Sequence, residues 1–584
     1  MVMQMTKAII LGLMNRVNLK DIEHIFPSCE IVINKSGRIA LGVNQGRMVY
    51  KGDGVYYKIF DKGYCRVTNF VKALEAGFFD EVAPALQSLI EDDGEIVGYI
   101  MEAGEMIDKI PIDFYQRVLS LVEEKKMFFY DLVSINIIKA KSGEISLIDL
   151  ESVYDLDELY TISKHNAVVK PDYYFAELER LWKKNMKKIS FIQPSRNNLK
   201  YLKWSYDSIR KNLGSEHEIC WADDFSNDGT WEWMQEIAEK DANVKIHRNE
   251  GPTRLGHTIL YDTLINDYAT NDIVMIYHAD MYALPGLDEE VNKYIGDGKV
   301  VSMTRIEPPL HPPGPEKILE DYGIEPEEFN EQKLLNEYQS LKRGSTTEGI
   351  FAPWAIMKSD FQSIGGHDPL YAPQSKEDSD IFNRFVLAGY ELIQTWDGFV
   401  YHMTCRGSRF ADGAKRNPNG EVFMKNRETD EWLKQNHRST RNFIRKWGHF
   451  VKHDSLLKPI VPPKYDIGFI VKNCSYDLLY ELEPWCSTIY TDYAWEGYIR
   501  QEQDNTLFDL KDRVKPYDNE KNNDILIEFD AKDFQMKHMN IISQLSEILA
   551  VDDELETGEH ELQIFKITIN KLKTYEEDLI KCTR

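Results

Sequence analysis

The chain is short of several things that would have named a class at once. Its seven cysteines, at positions 29, 65, 220, 405, 474, 486 and 582, contain no close C-x-x-C pair and are odd in number. They are expected to be reduced thiols, as in a cytoplasmic protein, rather than a disulfide framework. Long apolar runs are missing as well: Ala8 to Met14 is the longest near the start, whereas a membrane span takes about 20 residues. No signal-peptide layout is expected there. Basic charge is scarce, with 70 Lys+Arg against 96 Asp+Glu and a formal net charge of −26. A field of that sign repels phosphate backbones, so nucleic acid is not expected as a partner. There are no heptads and no repeat of solenoid length, and the one biased tract, the Pro-rich 308–315, is expected to be an ordered loop. What is present is ordinary globular material, 42% hydrophobic, 12% aromatic and 28% charged over 584 residues. That is enough for well-packed cores, and at about 150 residues per domain it predicts two to four of them.

Composition and periodicity divide the chain in three, residues 1–185, 186–457 and 458–584. Residues 28–60 alternate apolar and polar side chains between glycines, which predicts a twisted antiparallel sheet. Helical spacing follows over 68–90 and 114–126, then short strands at 134–138 and 145–148 flank the turn at Lys141-Ser142-Gly143. From Ile189 onward the pattern changes: strands at 189–193, 218–222, 244–247 and 273–278 alternate with helices at 199–212 and 230–240. That rhythm predicts a largely parallel, helix-covered sheet with its ligand at the carboxyl ends of the strands. Past the proline-rich stretch 458–463, a smaller α/β segment carries strands at 467–471, 525–529 and 561–569 and a helix at 534–550, without an assignable motif.

The polar clusters of the middle segment fall at its strand ends. Trp221-Ala222-Asp223-Asp224-Phe225-Ser226-Asn227-Asp228-Gly229-Thr230 closes a strand and opens a helix. Ile276-Tyr277-His278-Ala279-Asp280-Met281 ends the next strand, and Asp397-Gly398-Phe399-Val400-Tyr401-His402 comes late. Between them lie Gly365-Gly366-His367-Asp368, Lys376-Glu377-Asp378-Ser379-Asp380 through Arg384, and Gly389-Tyr390. In order and spacing these clusters resemble the family-2-like glycosyltransferases of GT-A fold over about residues 187–455. Taken singly, an Asx-turn with an N-cap, or an acid-rich helix start, accounts for any one of them.

The resemblance implies a GT-A, Rossmann-like mixed sheet flanked by helices, and a metal-dependent, inverting transfer from a nucleotide-sugar donor, a UDP-sugar, to a glycan acceptor. Asp223, Asp224, Ser226, Asp228 and Asp280 would hold the donor. Asp280, His278 and His402 would hold Mn²⁺ or Mg²⁺; His278 stands where the family keeps an Asp, which tilts the preference toward Mn²⁺. Asp378 would be the base that takes the acceptor hydroxyl's proton, with Glu377 orienting the acceptor. Arg406, Arg409, Phe410, Arg441, Lys446 and Trp447 are candidates for an acceptor surface, Trp447 equally for a structural role.

Three clusters in residues 1–185 resemble the protein-kinase-like fold in its small-molecule phosphotransferase branch: a glycine loop at 42–50 followed by Lys58, Asp131 with Asn136 five residues on, and Asp149 in Leu147-Ile148-Asp149-Leu150-Glu151. The resemblance implies an α+β domain using ATP and Mg²⁺. Lys58, paired with Glu75, would steady the phosphates, Asp131 would orient an acceptor hydroxyl, and Asn136 and Asp149 would hold the cation. The expectation is therefore a multidomain α/β enzyme of polysaccharide biosynthesis, bifunctional if the first segment phosphorylates a sugar or glycan hydroxyl. The alternatives are a transferase with a catalytically inactive pseudokinase scaffold, or a viral-type enzyme that glycosylates DNA or protein.

Overall fold

The computed structural model describes residues 15–28, 30–31, 47–60, 67–107, 109–130, 132, 136–148, 150, 152–159, 172–404, 414–424, 428–551 and 556–583. The chain forms two compact units, Met1–Met186 and Lys187–Arg584.

The first unit opens with a six-stranded sheet in the spatial order Arg16–Asn18, Leu86–Asp92, Glu95–Glu102, Val55–Phe60, Arg47–Lys51 and Glu30–Ile31. The expected helix over 68–90 is shorter. It runs Val67–Glu75 and stops at Ala76-Gly77, where Gly77 takes φ +72°. Leu86–Asp92 is a strand instead, because Asp93 (φ 50°) and Gly94 (φ 87°) form the tight turn that returns it antiparallel as Glu95–Glu102. Two consecutive positive-φ residues are what a two-residue hairpin needs, and Asp-Gly supplies them. Phe60, Phe70, Phe79 and Tyr99 fill the core under this sheet. Beyond it come the helix Ile112–Lys125 and the antiparallel pair Ile137–Lys139 and Ile145–Leu147.

In the second unit we label the strands β1 (Ile189–Ser195), β2 (Glu218–Asp224), β3 (Val244–Asn249), β4 (Ile273–Ile276), β5 (Met281–Ala283), β6 (Lys299–Glu307), β7 (Trp354–Met357) and β8 (Glu391–His402). Five helices bear on the site: α1 (Leu199–Asn212), α2 (Thr230–Lys240), α3 (Gly256–Thr263), α4 (Glu377–Leu387) and α5 (Asp430–Trp447). The sheet order is β3-β2-β1-β4-β7-β6-β8-β5. β1 to β4 are mutually parallel, as the βαβ rhythm predicts, whereas β7 runs antiparallel to both β4 and β6, so the whole sheet is mixed. Strand order reverses between β1 and β4, and a crevice at the carboxyl ends follows from that reversal. Every residue of β1, β2 and β4 is buried, consistent with a sheet covered on both faces.

A second sheet follows, ordered Val514–Pro516, Thr488–Thr491, Ile467–Lys472, Ile525–Asp530, Phe565–Ile569, Gly558–Leu562. The single strand expected over 561–569 is the hairpin Gly558–Leu562 and Phe565–Ile569, and the helix expected over 534–550 is two, Met536–Ile542 and Leu545–Val551. Helix α5 joins the two sheets. Its Ile444 sits in the core of the second sheet, while Phe443 and Trp447 pack with Leu370 and Tyr371 of the 3-10 turn before α4.

Candidate functional site

At the carboxyl end of β2 the acidic motif ties three loops together. Asp223 is fully buried and accepts from the Ser226 backbone N–H at 3.2 Å, with Arg248 Nε at 3.6 Å. Burial pushes its carboxyl up from the usual range. Asp224 accepts from Asn249 Nδ2 (2.7 Å), Leu255 N (3.2 Å) and Gly256 N (3.0 Å), which fixes the loop that follows β3. Asp228 accepts from the Leu199 and Thr230 backbone N–H groups, both at 3.1 Å, at the first residues of α1 and α2. Ser226 Oγ accepts from Asn197 N at 2.9 Å. Satisfied N–H groups at helix starts are each worth about 1 kcal/mol, so this motif stabilises the site's floor as well as lining it.

The metal candidates converge as the sequence implied. Among the described residues, one group of three His, Cys, Asp or Glu side chains is placed to hold an ion: His278, Asp280 and His402, whose ligand atoms all lie within 4.8 Å of one another. His278 and Asp280 follow β4, and His402 ends β8, which pairs antiparallel with β5 and sets His402 opposite Met281. His402 Nδ1 donates to Glu307 Oε1 at 2.7 Å, leaving Nε2 3.4 Å from Asp280 Oδ1. A carboxylate on the far nitrogen is the arrangement that orients a ligating imidazole. Burial alone would raise the Glu307 carboxyl, but Arg305, His402 and Lys317 hold it well below the usual range. Burial and the neighbouring His402 lower His278 to about 3, so its imidazole is neutral and able to donate a lone pair. His402 behaves oppositely: burial lowers it, yet Asp280 and Glu307 outweigh that and lift it to about 9. A cation bound here must displace that proton. Two imidazoles and one carboxylate form an N₂O donor set that suits Mn²⁺ better than Mg²⁺. The residues therefore fit a divalent cation. Glu307, which holds the His402 imidazole, lies on β6, a strand that the periodicity passed over; a carboxylate closing an apolar strand was the available signal.

Helix α4 opens with three acids, Glu377, Asp378 and Asp380. Glu377 is 8% exposed, and its Oε2 is buried without a hydrogen-bond partner. Burial and the adjacent Asp378 charge push its carboxyl up, and burial raises Asp378 as well. Burial, then the combined field of Asp378, Glu377 and Asp280, raises the Tyr261 hydroxyl, and its ring lies 5.7 Å from that of His257, which stacks at 6.5 Å on His278. The third acid differs. Asp380 accepts from Arg384 Nε (2.8 Å), Trp447 Nε1 (2.9 Å) and Tyr371 OH (3.2 Å), with Lys446 Nζ at 2.8 Å.

The proposed acceptor surface needs correction at three positions. Arg441 is bonded to Glu502 (3.0 Å), Tyr480 O (2.6 Å) and Tyr498 OH (3.0 Å), Lys446 to Asp368 (2.7 Å), and Trp447 is fully buried. All three stabilise the junction between the sheets, because the apolar and cationic face of α5 is turned inward. Arg406, Arg409 and Phe410 lie outside the described residues.

In the first unit, Lys58 is 5% exposed, on a strand flanked by Val49 on one side and Tyr99 on the other. Glu75 ends the helix Val67–Glu75, and Asn136 accepts through its backbone oxygen from Ile148 N at 2.9 Å. Asp131, Asp149 and the glycine loop at 42–46 lie outside the described residues.

Several solved structures resemble this chain. GalNAc-T7 with UDP, GalNAc and Mn²⁺ shares 14% identity over 45% of this chain and 51% of its own, with a TM-score of 0.31. The mannosyltransferase PcManGT from Pyrobaculum calidifontis, in complex with GDP-Man and Mn²⁺, shares 17% over 42% and 68%, with a TM-score of 0.27. TarS 1–349 of S. aureus shares 15% over 37% and 60%, also at 0.27. The chain thus spans about half the length of GalNAc-T7. No curated protein matches. Residues 190–364 match the model of the family Glycosyl transferase family 2, a stretch holding the motif at 223–230 and the pair His278 and Asp280. This part of the chain is a glycosyl transferase family 2 domain.

Proposed function

We propose that the second unit is a metal-dependent glycosyltransferase that moves a sugar from a uridine-type nucleotide donor to a glycan acceptor with inversion. One observation carries the reading: His278, Asp280 and His402 bring their ligand atoms within 4.8 Å of one another at the strand ends, in a unit whose helix α4 opens on Glu377, with an oxygen buried without a partner, and Asp378. Direct displacement at an anomeric carbon asks for this pairing, positive charge for the leaving diphosphate and a carboxylate for the incoming hydroxyl. His278, Asp280 and His402 would hold the cation, which when bound neutralises the diphosphate. Asp223 contacts the donor's nucleoside half, and Asp224, Ser226 and Asp228 shape the loops around it. Asp378 accepts the proton of the acceptor hydroxyl, and burial, by raising its basicity, suits it to that step. Glu377 orients the same hydroxyl. The test is a screen of nucleotide sugars for hydrolysis with and without Mn²⁺, followed by proton NMR of the glycosylated product. Uridine-donor turnover that depends on metal and gives an inverted anomer is expected; retained configuration removes Asp378 from the role of base.

A second reading concerns the first unit, an ATP- and Mg²⁺-dependent phosphotransferase acting on a sugar hydroxyl through Lys58, Glu75, Asp131, Asn136 and Asp149. Supporting it are the buried Lys58 in mid-sheet and the hairpin whose open end ties Ile148 to Asn136. Calorimetry with ATP and Mg²⁺ decides it, and absence of binding leaves a scaffold.

A further inference from the structure

A cavity of about 300 Å³ opens within the second unit. That is the lower end of the range typical for small-ligand sites, about 300–1,000 Å³. Its walls are the loop after β3, the loop before α4, and the first half of α5. From α5, Glu431, Lys434, Gln435 and Arg438 follow one another at helical spacing on one face, with the indole of Trp432 alongside. Arg254 closes the opposite side.

The charge in this cavity is unbalanced. Arg254, Lys434 and Arg438 face it against the single carboxylate of Glu431, in a chain whose net charge is −26. Arg254 donates one Nη2 bond to Gln374 Oε1 at 2.7 Å, while its Nε, 3.7 Å from Asp224, has no hydrogen-bond partner. Arg438 donates to the backbone oxygen of Ala372, and its Nε is likewise buried without an acceptor. Elsewhere on α5 the arginines are saturated: Arg445 bonds Glu483, Glu502 and Asn442. Each guanidinium carries five N–H donors, more than these bonds use, and a planar anion accepts such donors in pairs. A partly exposed indole lies on the same wall, and aromatic side chains are surfaces that sugar rings pack against. The cavity also adjoins the reaction centre. Gln374 stands three residues before Glu377, and the Glu377 charge acts on Arg254.

We infer that this cavity is an acceptor subsite for a saccharide bearing an anionic group, a carboxylate or a phosphate, gripped by Arg254, Lys434 and Arg438 while its ring lies on Trp432. The inference rests on the transferase reading above and deepens it by naming the acceptor class. Acceptor anion and donor diphosphate are then held by separate cations, so the acceptor does not compete for the metal.

The test uses the full chain and three probes matched in their sugar skeleton: cellobiose, cellobiouronic acid and cellobiose 6′-phosphate, titrated by ligand-observed NMR. At least one anionic probe is expected to bind at least about tenfold more tightly than cellobiose, which one charge-assisted hydrogen bond can supply. That margin is expected to shrink with added salt and to be lost in Lys434→Glu and in Arg438→Gln. Lys434 is exposed, so its variant keeps the fold if Arg438→Gln does not. Which anionic probe binds better tells carboxylate from phosphate. Equal affinity for all three probes, no binding of either anionic one, or a preference that survives Lys434→Glu overturns the subsite. Uridine diphosphate with Mn²⁺ is titrated alongside: its failure to bind counts against the transferase reading, whereas its binding together with failure of the anionic probes counts against the subsite alone.

Discussion

Helix α4 carries two kinds of buried acid within four residues, and they part company in what surrounds them. Asp380 is balanced on every side, by Arg384, Lys446, Trp447 and Tyr371, and its carboxylate is held below the usual range because Lys446 and Arg384 outweigh the burial that would raise it. Glu377 and Asp378 lie in the same first turn, yet an oxygen of Glu377 is buried without a partner and both carboxyls are pushed up. A saturated buried charge is a fixture of the fold. A charge left short of partners is destabilising unless a substrate or ion completes it, which is how function separates from architecture on one helix.

Substitutions that should break this contrast begin with the cluster opposite. Asp280→Ala removes the only carboxylate of the proposed cation site, and sugar transfer should fall to background, as it should in excess chelator; full turnover in chelator would refute the metal dependence. Next in size is Asp380→Asn. Breaking a buried ion pair typically costs about 3–5 kcal/mol, so a large drop in the urea midpoint is expected, with activity per folded molecule preserved. Because the Asp380 carboxyl is depressed, the stabilisation it gives is complete above the ordinary Asp range and is lost as pH falls through the depressed value. An Asp380→Asn protein of normal stability would show that the ion network does not hold the junction.

Asp378→Asn should do the reverse, lowering kcat by at least about 10²-fold with little change in donor affinity or melting temperature. Should both Asp variants lose stability alike, the distinction between the two acids fails. The smallest effect lies in the pH profile. Raised carboxyls must lose their proton before one can act as base, so transfer should climb with pH through the acid limb of the profile. The Asp378 charge raises Glu377 and not the reverse, so Asp378 ionises first, and Glu377→Gln should leave a limb that reports Asp378 in place; a limb that moves to lower pH means that it reports Glu377 or the pair.

Much of the sheet was legible because β1 to β4 are apolar strands spaced by amphipathic helices. α1 and α2 begin and end where the periodicity places them, at Leu199–Asn212 and Thr230–Lys240. The short antiparallel elements were not. Leu86–Asp92 reads as helix until Asp93-Gly94 is given its turn, and β6 and β7 join the sheet through partners far away in sequence. The same division runs through the site. His278, Asp280 and His402 were assembled from a resemblance and do meet, whereas His257 and Arg254 carry no local signal. His257 shows how context acts: its ring stacks at 6.5 Å on His278, and burial with the nearby Arg254 lowers it to about 4. Arg441 and Lys446, basic residues after the last motif, are interior, and the cationic cavity is formed by Arg254, Lys434 and Arg438 instead.

Where the acids stand along the chain, and that strand ends would present them, is written locally, since apolar period, turn residues and helix caps act over a few residues. Which acids are neutralised is settled by packing. Asp380 and Asp378 are equivalent in the sequence, both acids in the first turn of one helix; the difference is made by Lys446, Arg384 and Trp447, the first and last of which arrive from α5 more than sixty residues away. Charge balance in a low-dielectric interior depends on distance in space, and distance in space is what a linear pattern does not contain.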